Sequence, residues 1–445
     1  CLDVVSVKVY TLTTQSILPP EAGSCVVVGN LMVRSLMAYI KPRSVVVIGA
    51  GVTGLSTAFH LAEKGVERVI VVDKGTVGGG SSLQAGGIIT MLMGEEPAVR
   101  ARSRSLDLFE RFGRVLDGYN FHQVGCLNLC TEQSLADNAP IRDMQERLGA
   151  RFEVLHGQQL AERFPDLQAT EADFGVLDLR GGYSEPHRYV PALRTKLEEM
   201  GVEFRENEAV VGFDVNQGSL SGVVTNTSTL EVDAAVCAVN AWANQLLSFV
   251  GFQIPYKNFV HERFVTKPFP QSPRIPAVND NILNGYIRPT DDNRLLLGTS
   301  AHNPESYEMS GSDFEIGHLE PDKAALPFLK NQFVQRSPML EGVDWDYHTV
   351  GLISFAADVK PVIGPVPGVE NLYVGTNFHS GGFAYNPVAG QLLAEYVVDG
   401  ETSINVDIFS PNRFKGMDTE EFLSRSIRHD DNSWQHHASL RQVRH

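Results

Sequence analysis

The stretch from Ser44 to Gly87 constrains this chain more than any other. Val45 to Ile48 is an unbroken apolar run that reads as a strand buried on both faces. It runs into Gly49-Ala50-Gly51-Val52-Thr53-Gly54, and a helix-forming segment follows, with apolar residues at Leu55, Ala58, Phe59 and Ala62 and a stop at Lys64-Gly65. A second strand, Val69 to Val72, ends at Asp73, about 20 residues past the last glycine. In a G-x-G-x-x-G turn the first glycine permits the tight bend, the second lets a pyrophosphate approach the backbone, and the third lets the helix pack on the strand. The helix N-terminus then presents N–H groups to phosphate, and the acid at the second strand's end suits a ribose hydroxyl. Gly49, Gly51, Val52, Thr53, Gly54, Asp73 and the adjacent Lys74 are therefore predicted to bind a dinucleotide.

A second glycine loop favours a longer ligand than a nicotinamide dinucleotide. Gly80, Ser81 and Ser82, then Ala85, Gly86 and Gly87, offer close-approach backbone and hydroxyl donors along the sheet edge. An NAD site has no use for this loop, which points to FAD.

Length and charge narrow the field further. A chain of 445 residues suggests two or three domains. A net charge of −16, with no Lys/Arg-rich run, excludes nucleic acid as a partner, because phosphate neutralisation needs basic surface. The five cysteines form no C-x-x-C pair and no metal-ligand spacing, which suggests a reducing, cytoplasmic setting and no metal site. The chain opens on Cys1 rather than Met, which reads as a fragment, a processed product or an acylated form, with a fragment favoured. Residues 1–43 read as an N-terminal extension. Within it Cys25 to Ile40 is apolar but too short to span a bilayer, leaving an amphipathic, membrane-peripheral or transit-like segment open. The polar, His-rich stretch His429 to His445 reads as disordered.

Beyond the first unit, helices are predicted over Glu96–Leu116 and Arg188–Met200, with strands at Gln123–Leu129 and Arg151–Leu155. Val202–Phe204, Ala209–Val215, Leu220–Thr225 and Thr229–Val232 alternate as an antiparallel meander. Ala234–Val239 reads as a buried parallel strand. Phe259–Thr266, Asn284–Arg288 and Arg294–Gly298 are strand-like, the last two joined by the turn signal Asp291-Asp292-Asn293.

Five segments taken in order resemble the D-amino-acid oxidase superfamily of FAD-dependent oxidoreductases: the Gly49 turn, GGYSEPHR at 181–188, AVCAVNAWAN at 235–244, GYIRPTDDNRLLLG at 285–298, and the stretch Asp358–Glu395. Within it the chain looks closest to the sarcosine and dimethylglycine oxidising enzymes and the dye-linked L-proline dehydrogenases. The resemblance implies an α/β fold: a Rossmann-like FAD domain of the glutathione-reductase type from 44–118, 179–245 and 346–409. A second, α+β substrate domain of mixed or antiparallel sheet would come from 119–178 and 246–345, and 410–445 would form a C-terminal tail. It also implies roles for Val210, Asn240, Trp242 and Gly351 beside the cofactor, although Trp242 alone reads as a core residue.

In such a family the flavin takes a hydride from a carbon bearing an amine. The protein supplies a cation for the substrate carboxylate and donors for the negative charge of the reduced ring. The donors are expected from His379, Ser380, Gly381, Gly382 and Phe383, where a glycine pair opens a helix. Tyr286 and Arg288, alternate residues on one strand, are expected to enter the substrate pocket together, Arg288 binding carboxylate through its fork. Tyr385 is a further pocket candidate, since the lysine that monomeric sarcosine oxidase carries just before it is Ala384 here. Lys360 is a weaker candidate cation, and His261 could face the active site from the substrate domain, although a lone strand histidine is more often structural. The Gly-x-Arg-Pro arginine of D-amino-acid and glycine oxidases is missing, its segment reading Gly351-Leu352-Ile353-Ser354. No cysteine follows Cys237 and no histidine lies between Gly75 and Gly94, so FAD is expected to be held non-covalently.

The expected reaction is oxidation of the C–N bond of a small secondary or N-methylated amino acid, such as proline or sarcosine. Electrons would pass to oxygen, a quinone or an electron-transfer protein, and a homo-oligomer is compatible with the sequence. The alternatives are a 2-hydroxy-acid dehydrogenase and a non-catalytic flavoprotein assembly factor of the same fold, with an NAD-dependent dehydrogenase last.

Overall fold

The computed structural model describes residues 41–299, 302–311 and 313–428. The expectations about Cys1, Cys25, the N-terminal extension before Lys41 and the stretch from His429 lie outside the described residues.

Alternation along buried strands feeds two cores at once. Ser44–Ile48 pairs in parallel with Arg68–Val72 on one side and with Ala234–Cys237 on the other. The six-stranded sheet is completed by Leu372–Thr376 and Glu203–Arg205, both parallel, and by Val362–Pro365, antiparallel at one edge. Val45, Val47, Val69 and Val71 point into a core shared with helices Val52–Glu63, Glu96–Val115, Pro186–Glu199 and Gly382–Asp399. Val46, Ile48, Ile70 and Val72 face the opposite core, under the meander Val210–Asn216, Ser219–Thr225 and Thr229–Glu231. Each of these side chains is almost wholly buried, and each such burial contributes about 1.5–3 kcal/mol. That is why an unbroken apolar run, rather than an alternating one, marks this sheet.

The first helix ends where Gly65, at φ +74°, leaves the right-handed region. The long helix Gly382–Asp399 crosses it closely: a Cβ on Gly390 would lie 2.5 Å from the Ser56 backbone. Ser56 Oγ also donates to the Pro387 carbonyl at 3.2 Å. This contact carries the C-terminal part of the chain back onto the helix that follows Gly49.

A nine-stranded mixed sheet forms the other half. Tyr256–Thr266 pairs antiparallel with Leu295–Thr299, which pairs with Gly285–Pro289, which pairs with Ala277–Asp280. Ala277–Asp280 then runs parallel to Cys126–Cys130, and Phe174–Asp178 and Phe152–His156 extend the sheet. The hairpin at Thr290–Arg294 closes as its turn residues predict, with Asn293 at φ +63°.

Three expectations are corrected here. Residues 346–356, assigned to the dinucleotide half, belong to strand Trp345–Ala356, which pairs along its length with Tyr256–Thr266 in the nine-stranded sheet. Glu203–Arg205, read as the first meander strand, is instead the parallel edge beside Arg68–Val72; a three-residue strand carries no periodicity that separates these pairings. Residues 410–428, read as tail, are folded. Arg413 grips Asp358 at 2.7 and 2.9 Å, and Phe422 packs with Phe259, Phe355 and Val359. Among the described residues no helix is long and apolar enough to cross a membrane.

Candidate active site

A single cavity of about 1260 Å³ runs from the Gly49 turn to the N-terminus of helix Gly382–Asp399. This exceeds the roughly 300–1,000 Å³ of an ordinary small-ligand pocket and suits a long ligand. At one end the backbone does the shaping. Gly49 sits at φ +105°, where a Cβ would meet the Ala238 carbonyl oxygen at 2.5 Å; a Cβ on Gly54 would lie 1.8 Å from the Gly49 oxygen. Gly49, Gly51, Val52 and Thr53 line the cavity, whereas Gly54 lies behind them and lets helix meet strand. No side chain of the first helix caps its own N-terminus. Ser82 Oγ, from the second glycine loop, accepts from Val52 N–H at 2.9 Å. The two glycine loops are thus joined at the point where phosphate would sit.

Asp73 also lines the cavity, its carboxylate accepting from the Ala50 N–H at 2.7 Å and the Gly75 N–H at 2.8 Å. Burial raises its pKa above the usual carboxylate value despite these donors. Lys74 Nζ donates to the Phe314 carbonyl at 2.6 Å and lies 4.9 Å from the centre of the Trp242 ring. Trp242 Nε1 shares that carbonyl at 3.1 Å, and the ring edge sits 3.6 Å from a Cβ built on Gly80. Trp242 is therefore a wall of the cavity as well as a packing residue. Val210, Asn240 and Gly351 line it too, Asn240 at φ +41°.

The second loop crosses the face of the nine-stranded sheet. Ser81, Ser82, Ala85, Gly86 and Gly87 all reach the cavity. Gly87 is irreplaceable by geometry, at φ +72° with the Ser184 carbonyl oxygen 2.1 Å from a built Cβ. Gln84 Oε1 is buried with no hydrogen-bond partner among the described residues, a polar atom in the cavity wall left for a ligand. Glycine cradle, helix N-terminus and orphaned amide together fit FAD.

At the far end His379, Ser380, Gly381, Gly382 and Phe383 line the cavity, and no side chain caps the helix that starts at Gly382. His379 Nδ1 accepts from Gly381 N–H at 3.2 Å. Loss of solvent, helped by the nearby Arg102 charge, pushes the His379 imidazole down to about 3, so it is neutral at working pH. Tyr286 reaches the cavity from the sheet. Its ring stacks on His261 at 5.6 Å, its hydroxyl lies 3.2 Å from His261 Nε2, and its edge covers Gly86. His261, read as structural, lines the cavity as well.

Arg288 and Tyr385 depart from expectation. Arg288 is fully buried outside the cavity lining, held by Glu185 at 2.7 and 3.0 Å, by the Gly86 and Pro289 carbonyls, and by the Tyr183 ring. It does share a strand face with Tyr286, but Gly86 lies across that face between it and the cavity. Burial raises the Glu185 carboxyl, and the Arg288 charge more than reverses this, leaving it below the ordinary value. Tyr385 is buried in the helical core behind the cavity wall, under the Arg102 guanidinium at 4.7 Å. Lys360 pairs with Glu95 at 2.9 Å and does not line the cavity.

Two wall features escaped the sequence reading. Arg102 is 4 % exposed, donates from Nε to the Thr90 carbonyl at 2.8 Å and from Nη1 to the Gly381 carbonyl at 3.4 Å, and faces the cavity. Desolvation lowers its pKa, while the positions of Tyr385, Cys126 and Asp178 oppose that shift. The signal was there: it interrupts the apolar face made by Val99, Leu106 and Phe109 on one helix. Asn279 lines the sheet side with Tyr286, and its Nδ2 donates to Asn128 Oδ1 at 3.1 Å; an asparagine in a short strand carries no comparable signal.

Comparison with known proteins agrees with this architecture. Dimethylglycine dehydrogenase from Rattus norvegicus is 24% identical over 405 residues, covering 86% of this chain and 46% of that protein. Sarcosine oxidase subunit beta from Rhodobacter capsulatus is 23% identical over 399 residues, covering 87% and 93%. The crystal structure of L-proline dehydrogenase from P. horikoshii superposes with a TM-score of 0.76 at 25% identity, covering 84% of this chain and 98% of that one. The chain thus spans about half the length of the dimethylglycine dehydrogenase it matches. Because the model of the DAO family, described as FAD dependent oxidoreductase, matches residues 44–396, the greater part of the sequence, the chain belongs to that family.

Proposed function

We propose that this chain binds FAD non-covalently and oxidises the C–N bond of a small secondary or N-methylated amino acid, of the kind named in its relatives: sarcosine, dimethylglycine or proline. The observation that carries the reading is the convergence of three distant segments, 49–54, 80–87 and 379–383, on one cavity whose sheet side is closed by Tyr286, His261 and Asn279. FAD, when bound, supplies the electron sink.

The residues around the far end suit that chemistry. Arg102 and the uncapped N-terminus of helix Gly382–Asp399 place positive potential there, favouring negative charge that develops during reaction. His379, kept neutral, adds no competing cation. Tyr286 and His261 close the sheet side of the cavity and bring a hydroxyl and an imidazole to it. Among the described residues Arg102 is the cavity cation left to attract a carboxylate, since Arg288 is engaged elsewhere and Lys74 lies toward the Asp73 end.

Purified protein titrated anaerobically with sarcosine, dimethylglycine, proline, D-alanine and 2-hydroxyglutarate tests this. Bleaching of the yellow colour by one of the first three is expected. Bleaching by 2-hydroxyglutarate alone would transfer the chain to hydroxy-acid oxidation, and a protein that takes up no FAD would remove the cofactor assignment. Replacing Tyr286 by Phe should raise KM for the bleaching substrate about tenfold, the loss of roughly one hydrogen bond, while FAD stays bound.

A further inference from the structure

Two arginines of the nine-stranded sheet are spent on the cofactor loop. Arg263, on Tyr256–Thr266, is 7 % exposed; its Nη1 donates to the Ala85 carbonyl at 2.7 Å and its Nε to Thr349 Oγ1 at 3.1 Å. Arg288, fully buried, donates from Nε to the next carbonyl, Gly86, at 2.5 Å. Neither arginine lines the cavity, whereas Ala85, Gly86 and Gly87 do. Arg263 makes no ion pair among the described residues, and desolvation lowers its pKa, opposed only in part by Tyr286, Tyr347 and the more distant Glu185. A buried guanidinium with no counter-charge costs stability, and its strongest engagement here is that loop carbonyl.

We propose that Arg263 and Arg288 form a clamp that fixes two successive peptide planes, so that the Gly86 and Gly87 N–H groups are aimed into the FAD cavity as preorganised donors. In a trans peptide the carbonyl and the following N–H point in opposite directions. Holding the Ala85 oxygen outward turns the Gly86 N–H inward, and holding the Gly86 oxygen does the same for Gly87. Neither N–H donates to any acceptor among the described residues, as expected of groups kept for a ligand. Glycine at both positions makes the clamp necessary, because a glycine backbone left to itself samples many orientations. Arg263 and Arg288 are thus positioning residues acting through the backbone, and the substrate-side sheet sets how the cofactor is gripped. The inference rests on the FAD reading for its ligand but not for its geometry.

Arg263→Met is the clean test, because it strands no buried carboxylate. Hydrogen–deuterium exchange of apo-protein over residues 82–89 should speed up while the Ser44–Ile48 strand stays protected. The FAD dissociation constant, from flavin-fluorescence titration, should rise about tenfold or more, as for loss of a charge-assisted hydrogen bond. The visible spectrum and midpoint potential of bound flavin should shift, and Arg263→Lys should recover part of both. The paired variant Arg288→Met with Glu185→Gln, which removes both buried charges, should add to the effect on the same segment. Unchanged exchange over 82–89 with unchanged FAD affinity in Arg263→Met would overturn the clamp. A wild-type protein that takes up no FAD would remove the cofactor reading instead, and the exchange result would still decide whether the loop is clamped.

Discussion

The two ends of the cavity are built from different materials. Around Gly49 the site is backbone: glycines where a Cβ would collide, a helix N-terminus, and carboxylate and hydroxyl groups that hold main-chain amides. On the sheet side it is side chains from strands far apart in sequence, Tyr286 beside His261 and Asn279, with Arg102 arriving from a helix. A backbone site is specified within a few tens of residues and announces itself by glycine spacing. A side-chain site depends on which strands pair and on what crosses their faces, so identical residue types can end in the cavity or behind it.

The most damaging way to probe this contrast is at Gly54. Alanine there puts a Cβ 1.8 Å from the Gly49 oxygen, so helix and strand must separate. We expect a loss of more than about 4 kcal/mol, or failure to fold, read by urea unfolding and by FAD retention. An unaffected Gly54→Ala protein would break the claim that backbone geometry governs this end.

Arg288→Leu separates the two ends next. It leaves Glu185 buried with only the Asp291 N–H at 3.4 Å and the exposed His187 ring at 3.6 Å to face it, which should cost about 3–5 kcal/mol. The loss should appear in the unfolding midpoint. Had Arg288 gripped the substrate carboxylate, the dominant effect would be on KM at unchanged stability, and that outcome would reverse the correction made above.

At neutral pH the smallest effect is at His379. Its folded-state value of about 3 lies below the 6.5 of a free histidine, so the unfolded chain binds the extra proton first. Whatever stability the neutral ring provides is complete above pH 6.5 and is lost as the pH falls from there toward 3. His379→Gln should therefore flatten the decline of stability over that window without changing it at neutral pH. A pH profile identical to wild type would show that the ring titrates normally and does not sit in the desolvated place described.

Much of the architecture was legible beforehand. The parallel strands announced themselves as apolar runs, the helix after Gly49 by its periodicity and stop, and the 285–299 hairpin by its turn residues. The resemblance carried the C-terminal glycine pair to the same cavity as the first turn. Assignments failed where no local signal exists, as with the short strand at Glu203–Arg205 and the strand Trp345–Ala356, whose alternation is the same in either sheet. Arg102 was missed although a charge interrupting an apolar helical face was visible.

The amino-acid order alone determined the nucleotide end, because glycine spacing, an apolar strand and a terminal acid act on one another within a single strand–helix–strand unit. Only the tertiary structure decided what Arg288 does. Strand alternation placed it on the same face as Tyr286, but that face is crossed by a loop some two hundred positions earlier in the chain, whose Gly86 carbonyl it binds. Periodicity reports the direction a side chain leaves its strand; what it meets is set by long-range packing, which no local pattern records.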